Sequence, residues 1–67
     1  MTKGKVRRII RDRGFGFIDA EDGREIFFHS SELSEGAFGS LQEGQEVEFE
    51  VEKGRRGPRA IAIRLIK

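Results

Sequence analysis

Cysteine, tryptophan and tyrosine are all absent from this 67-residue chain, and proline and methionine occur once each. Without cysteine there is no disulfide framework and no thiolate zinc site, which argues against a secreted mini-protein and for a reducing cytoplasm. No run of about 18 apolar residues is available to span a bilayer, and Met1-Thr2-Lys3-Gly4 carries none of the apolar stretch a signal peptide needs. The expectation is a cytoplasmic protein with no membrane partner. His29 is the one histidine, and alone it makes no metal set, so neither a metal nor a cofactor is expected. At 7.6 kDa the chain has room for one small domain, residues 1–67, without a second lobe or an enclosed cavity for a small-molecule substrate.

Nine glycines against one proline raise the unfolded-state entropy that folding must overcome. A core of this size seldom supplies more than ~3–5 kcal/mol without a covalent or metal staple. Marginal stability is therefore expected unless a partner binds or the packing is unusually good. Hydrophobic residues make up 36% of the chain and charged residues 37%, with a mean hydropathy of −0.54, the balance of a soluble domain.

Charge is sparse in net terms, at +1, but strongly segregated. Residues 1–18 carry six basic side chains against Asp12, residues 19–52 carry eleven acids against Arg24, and residues 53–67 carry six basic side chains and no acid. If the two basic ends meet in the fold, a near-neutral protein presents a strongly positive face to a polyanion. The plainer alternative is basic charge placed on edge strands to discourage aggregation.

Apolar residues recur with period two, not 3.6, which indicates strands. Glu46 to Glu52 alternates strictly, with Val47, Phe49 and Val51 on one face and four glutamates on the other. Residues 59–66 alternate again, predicting Ile61, Ile63 and Leu65 inward and Ala62 and Arg64 outward. Further strands are expected over Lys5 to Arg11, Gly14 to Ile18 and Glu25 to His29, with Asp22-Gly23 centring the turn between the last two. Ser30 to Gln45 is the one long connection; it has room for a helical turn at Ser30 to Leu33, while Gly36 and Gly39 forbid a longer helix. Five short strands with a long link between the third and fourth predict an all-β, five-stranded antiparallel Greek-key barrel.

A small barrel has one interior, and Val6, Ile18, Ile26, Phe28, Val47, Phe49, Val51, Ile61, Ile63 and Leu65 suffice to fill it. Phe15, Phe17, Phe27 and His29 are then left facing outward on two neighbouring strands. Burying an aromatic stabilises by roughly 1.5–3 kcal/mol, so three exposed rings point to a ligand, or else to a core arranged differently or a dimer that covers them. Rings interleaved with lysine and arginine suit single-stranded nucleic acid, whose bases stack on the rings while phosphates pair with the cations.

Arg13-Gly14-Phe15-Gly16-Phe17-Ile18 resembles the Lys-Gly-Phe-Gly-Phe-Ile motif of cold-shock domains, and Ile26-Phe27-Phe28-His29 resembles their Val-Phe-Val-His motif. Gly4-Lys5-Val6-Arg7, Phe38, Leu41 to Phe49 and Gly54 to Pro58 fit the same pattern, so the resemblance spans essentially the whole chain. It implies an OB-type barrel that binds single-stranded RNA or DNA, as an RNA chaperone or a regulator of transcription or translation. By position it implies stacking on Phe15, Phe17, Phe27, His29 and Phe38. It assigns Lys5, Arg7, Arg13 and Arg56 to phosphates or nearby bases.

Arg8, Ile9 and Ile10 stand where the family has tryptophan, phenylalanine and asparagine, and Ser30 where it has phenylalanine. Two stacking surfaces are thereby lost. Arg8 offers a guanidinium plane and a charge in compensation, so fewer stacked bases and a steeper salt dependence are expected. No nucleophile, base and orienting group come together in the sequence, Gly14-Phe15-Gly16 lacks the lysine of a phosphate loop, and the Asp19-Glu21-Asp22 cluster reads as a hydrated turn; an enzyme is not expected. The competing class is a divergent barrel that docks a protein on Phe15, Phe17 and Phe27. A cation at position 8, beside retained phenylalanines, favours nucleic acid. A monomer is expected, with a dimer as the alternative.

Overall fold

Alternating apolar and polar residues fold here into five strands: β1 (Thr2–Ile10), β2 (Phe15–Ala20), β3 (Glu25–His29), β4 (Glu46–Gly54) and β5 (Gly57–Leu65). The structure, a computed structural model, describes residues 1–33, 37–55 and 57–66. The strands close into a barrel in the order β1-β2-β3-β5-β4, with β4 returning to β1. Four of the five junctions are antiparallel. The fifth, β3 against β5, is parallel and short, pairing Phe27 with Arg59 and Phe28 with Ala60. The link between β3 and β4 holds a 3₁₀ turn (Ser30–Glu32), as anticipated, and a four-residue helix α1 (Ala37–Ser40).

The Asp22-Gly23 turn forms as its residues dictate. Gly23 adopts φ +92°, and the Asp22 carboxylate accepts the Arg24 backbone N–H at 3.1 Å and its Nε–H at 2.8 Å. The backbone N–H first, and then the guanidinium, hold the Asp22 carboxyl below the usual range.

One apolar cluster fills the barrel: Val6, Ile18, Ala20, Ile26, Phe28, Val47, Phe49, Ala60 and Ile63, joined by Leu33 and Leu41 from the long connection. Val51 packs against it from a half-buried position. Gly16, the cross-strand partner of Phe28, is buried. A Cβ there would lie 2.4 Å from the Arg8 carbonyl oxygen and 2.8 Å from the Phe28 ring, so only glycine lets that ring seat over β2.

The expected alternation along β5 fails at one point. Between Ile61, opposite Glu50, and Arg64, opposite Glu48, β5 carries two residues against the single Phe49. Ala62 absorbs the extra residue at φ 51°. This bulge resets the pattern: Ala60 and Ile63 face the core, at 0% and 6% exposure, while Ile61, predicted inward, turns to the flank. Leu65, also predicted inward, is 42% exposed at the end of its strand.

Two stability outcomes follow. Gly16→Ala overpacks the Phe28 seat and should cost roughly 1–3 kcal/mol, read as a lower urea midpoint by far-UV circular dichroism. Ala62→Gly relieves a left-handed alanine and should be neutral or stabilising by up to about 1 kcal/mol. Alanine-to-glycine elsewhere in a strand costs roughly 0.5–1 kcal/mol, so a loss of that size at position 62 contradicts the strain.

Candidate nucleic-acid interface

With Phe28, Ile18 and Ile26 committed to the core, strand alternation puts Phe15, Phe17 and Phe27 on the outer surface of β2 and β3. Their ring centroids lie 6.1 Å (Phe15–Phe17), 5.6 Å (Phe15–Phe27) and 6.0 Å (Phe17–Phe27) apart. All three are half-buried, and their planes are tilted or edge-on to one another, so the rings pack as a cluster. Cross-strand register extends this patch in two rows. Arg8, Phe17, Phe27 and Arg59 run across β1, β2, β3 and β5; Ile10, Phe15 and His29 run beside them.

Arg8 owes its place to a second bulge. Val6 pairs with Ile18 but Arg8 with Phe17, leaving Arg7 as the extra residue. Displaced from that row, Arg7 reaches Asp19 at 3.4 Å and Glu25 at 3.5 Å. It was expected as a phosphate contact, and the structure holds it against two carboxylates at one end of the patch. Lys5 lies opposite Asp19 on one side and Glu46 on the other. Arg8 and Arg13 have no acidic partner among the described residues.

His29 is exposed, and its orientation is set from below. The Ser31 backbone N–H donates to Nδ1 at 3.1 Å, with the Ser31 hydroxyl 2.9 Å from the same atom. With Nδ1 accepting, the ring N–H resides on Nε2. Ser30 lies over Gly14, its Oγ 3.2 Å from where a Cβ on that glycine would stand, and its backbone N–H donates to the Gly14 carbonyl at 2.8 Å. Phe38 stands apart from the three-ring cluster: half-buried on α1, it meets Phe28 edge-on at 6.3 Å.

A groove of about 710 Å³ runs along the patch, with Phe15, Phe17 and Phe27 as one wall and Gly54, Arg55, Gly57, Pro58 and Arg59 as the other. Arg56 falls outside the described residues, between two that line this groove. The strands that carry the two basic segments flank the rings, β1 on the β2 side and β5 on the β3 side. Arg59 faces Phe27 with its guanidinium paired to Glu52 at 2.9 Å. Sequence reasoning missed Arg59 because nothing in the sequence announces a parallel β3–β5 junction. It missed Ser31 because a serine two residues past a histidine is a weak signal.

Neutralising Asp19 and Glu25 together (Asp19→Asn with Glu25→Gln) frees Arg7. Oligonucleotide affinity should rise at low salt, and the slope of log K against log salt should steepen by about 0.7 for the one cation released. An unchanged slope in salt-titrated binding curves contradicts an Arg7 held back by these acids.

Comparison with known proteins agrees with this geometry. The family model described as the 'Cold-shock' DNA-binding domain matches residues 2–66. The chain is 53% identical over 57 residues to the cold shock-like protein CspE of Bacillus anthracis, covering 85% of each chain. It is 45% identical over 63 residues to the cold shock protein CspB of Geobacillus stearothermophilus (94% of this chain, 96% of the relative). It is 44% identical over 63 residues to the major cold shock protein of Streptococcus pyogenes, covering 94% of each. A closed five-stranded barrel, an outward aromatic patch between cationic strands and a family match over nearly every residue agree: the chain belongs to the cold-shock domain family and functions in nucleic-acid binding as a chaperone or regulator.

Proposed function

We propose that this protein binds single-stranded RNA or DNA without catalysis, stacking bases on Phe15, Phe17, Phe27 and His29. Lys5, Arg8, Arg13, Arg55 and Arg56 supply the phosphate contacts, and Phe38 is a further stacking surface at the periphery. The observation that carries this reading is the contiguous three-ring patch set between Arg8 and Arg59 and opening onto a groove. Bases stack on such rings for ~1–3 kcal/mol each without regard to sequence. A duplex hides its base faces and leaves that contribution unused. Holding bases apart in this way keeps RNA from pairing with itself, which is the chaperone activity proposed for this chain. The protein acts as a cytoplasmic monomer. No helix among the described residues is long and apolar enough to cross a membrane.

The cations on either side of the rings count against the alternative of an apolar protein-docking patch, as does membership of a nucleic-acid-binding family. Arg8 in place of a ring trades stacking for charge, so binding should depend on salt more steeply than in a relative with an aromatic there.

Fluorescence-anisotropy titration of labelled single strands at low and moderate salt tests the reading. Phe17→Ala and Phe27→Ala should each weaken binding by roughly 1–3 kcal/mol in a domain that circular dichroism shows to be folded. Arg8→Ala should flatten the salt slope by about 0.7. Absence of single-strand binding at low salt by the folded wild type, or equal affinity for a duplex, overturns it.

A further inference from the structure

Four arginines fall in β1 and the turn that joins it to β2. The structure sorts them. Arg7 is paired with acids, while Arg8 and Arg13 have no acidic partner among the described residues. Arg11 does something else. Its Nη1 donates to the Phe38 carbonyl oxygen at 3.0 Å and to that of Gly39 at 3.1 Å, and its Nη2 donates to that of Leu41.

These acceptors lie within or just past α1, at its C-terminal end. A helix of four residues is too short to sustain itself, and its final carbonyls have no partners further along the helix. A guanidinium there supplies donors in the geometry of a fork, and its positive charge meets the negative end of the peptide dipoles. Leu41, buried in the core, and Phe38, lying against Phe28, hold α1 from beneath. Arg11 clasps it from the side. Arg11 also directly follows Ile10, the cross-strand partner of Phe15, so the clasp ties α1 to the Phe15 end of the ring patch.

We propose that Arg11 is a positioning residue for the interface: it fixes Phe38 as a stacking surface peripheral to the three-ring patch and is not itself a phosphate contact. The inference rests on the reading that Phe38 takes part in nucleic-acid binding.

The test compares Arg11→Gln, Arg11→Lys, Phe38→Ala and the Arg11→Gln/Phe38→Ala double variant on a short and a long single strand, about four and about nine nucleotides, across salt. Lysine keeps the charge but cannot fork onto three carbonyls. Both Arg11 variants should weaken the long strand about fivefold or more while leaving the short strand and the salt slope unchanged. In the Phe38→Ala background Arg11→Gln should cost nothing further. Without any ligand, Arg11→Gln should speed hydrogen exchange at the Leu41 amide, which donates to the Phe38 carbonyl at 3.3 Å.

A slope flattened by about 0.7 in Arg11→Gln and restored in Arg11→Lys makes Arg11 a phosphate contact and overturns the proposal. So does unchanged exchange at Leu41, or an equal loss on the short strand. If Phe38→Ala leaves long-strand affinity intact, the Phe38 reading fails and takes the inference with it. Short-strand binding then shows separately whether the Phe15, Phe17 and Phe27 patch stands.

Discussion

Phe28 seated over Gly16 is the contact on which the arrangement of this molecule depends. The ring is fully buried, and its neighbour across the β2–β3 junction must be glycine because a methyl group would strike both the ring and a backbone carbonyl. That pairing fixes the register of the hairpin. Because side chains alternate, it also fixes Phe27 outward beside Phe17, and Phe15 outward beside His29. A slip of one residue would turn the whole aromatic set over. Core packing and the binding surface are thus two sides of one hairpin, and neither can change register without the other.

Electrostatics refine what packing places. Thirteen lysines and arginines nearly balance twelve acids, yet the pairing is selective. Arg7, Arg24 and Arg59 are held by carboxylates, and Arg11 by carbonyls. The ion pairs are exposed and contribute little to stability. Their larger effect is to decide which cations remain available to an anion. On the Phe17 row that cation is Arg8, brought into line by a bulge that sends Arg7 elsewhere.

The barrel class, the five strands, the Asp22-Gly23 turn and the outward set of Phe15, Phe17, Phe27 and His29 were legible from residue alternation and turn chemistry. These are local rules, and β2, β3 and β4 each obey them. Illegible were the features that depend on how strands meet. The β5 bulge moved Ala60 inward and Ile61 to the flank. It is marked in the sequence only by an alanine, a residue with no preference for the left-handed conformation it adopts here. The β1 bulge that exchanges the roles of Arg7 and Arg8 is set by pairing with β2, and the position of Arg59 by a two-residue parallel contact. Phe38 was legible as an aromatic in a loop; its half-buried seat against Phe28, and the guanidinium that holds it there, were not.

The shortness of the β3–β5 junction bears on the order in which the surface is completed. All three rings lie on a single hairpin whose contacts are close in sequence, and such contacts form early. The opposite wall of the groove is carried by the turn before β5 and by β5 itself, the final strand, which reaches β3 across the long connection and after β4. A chain emerging during synthesis thus exposes its apolar rings well before the wall that turns them into a groove. Through that interval the charges flanking the rings, on β1 and around the β2–β3 turn, oppose aggregation through them.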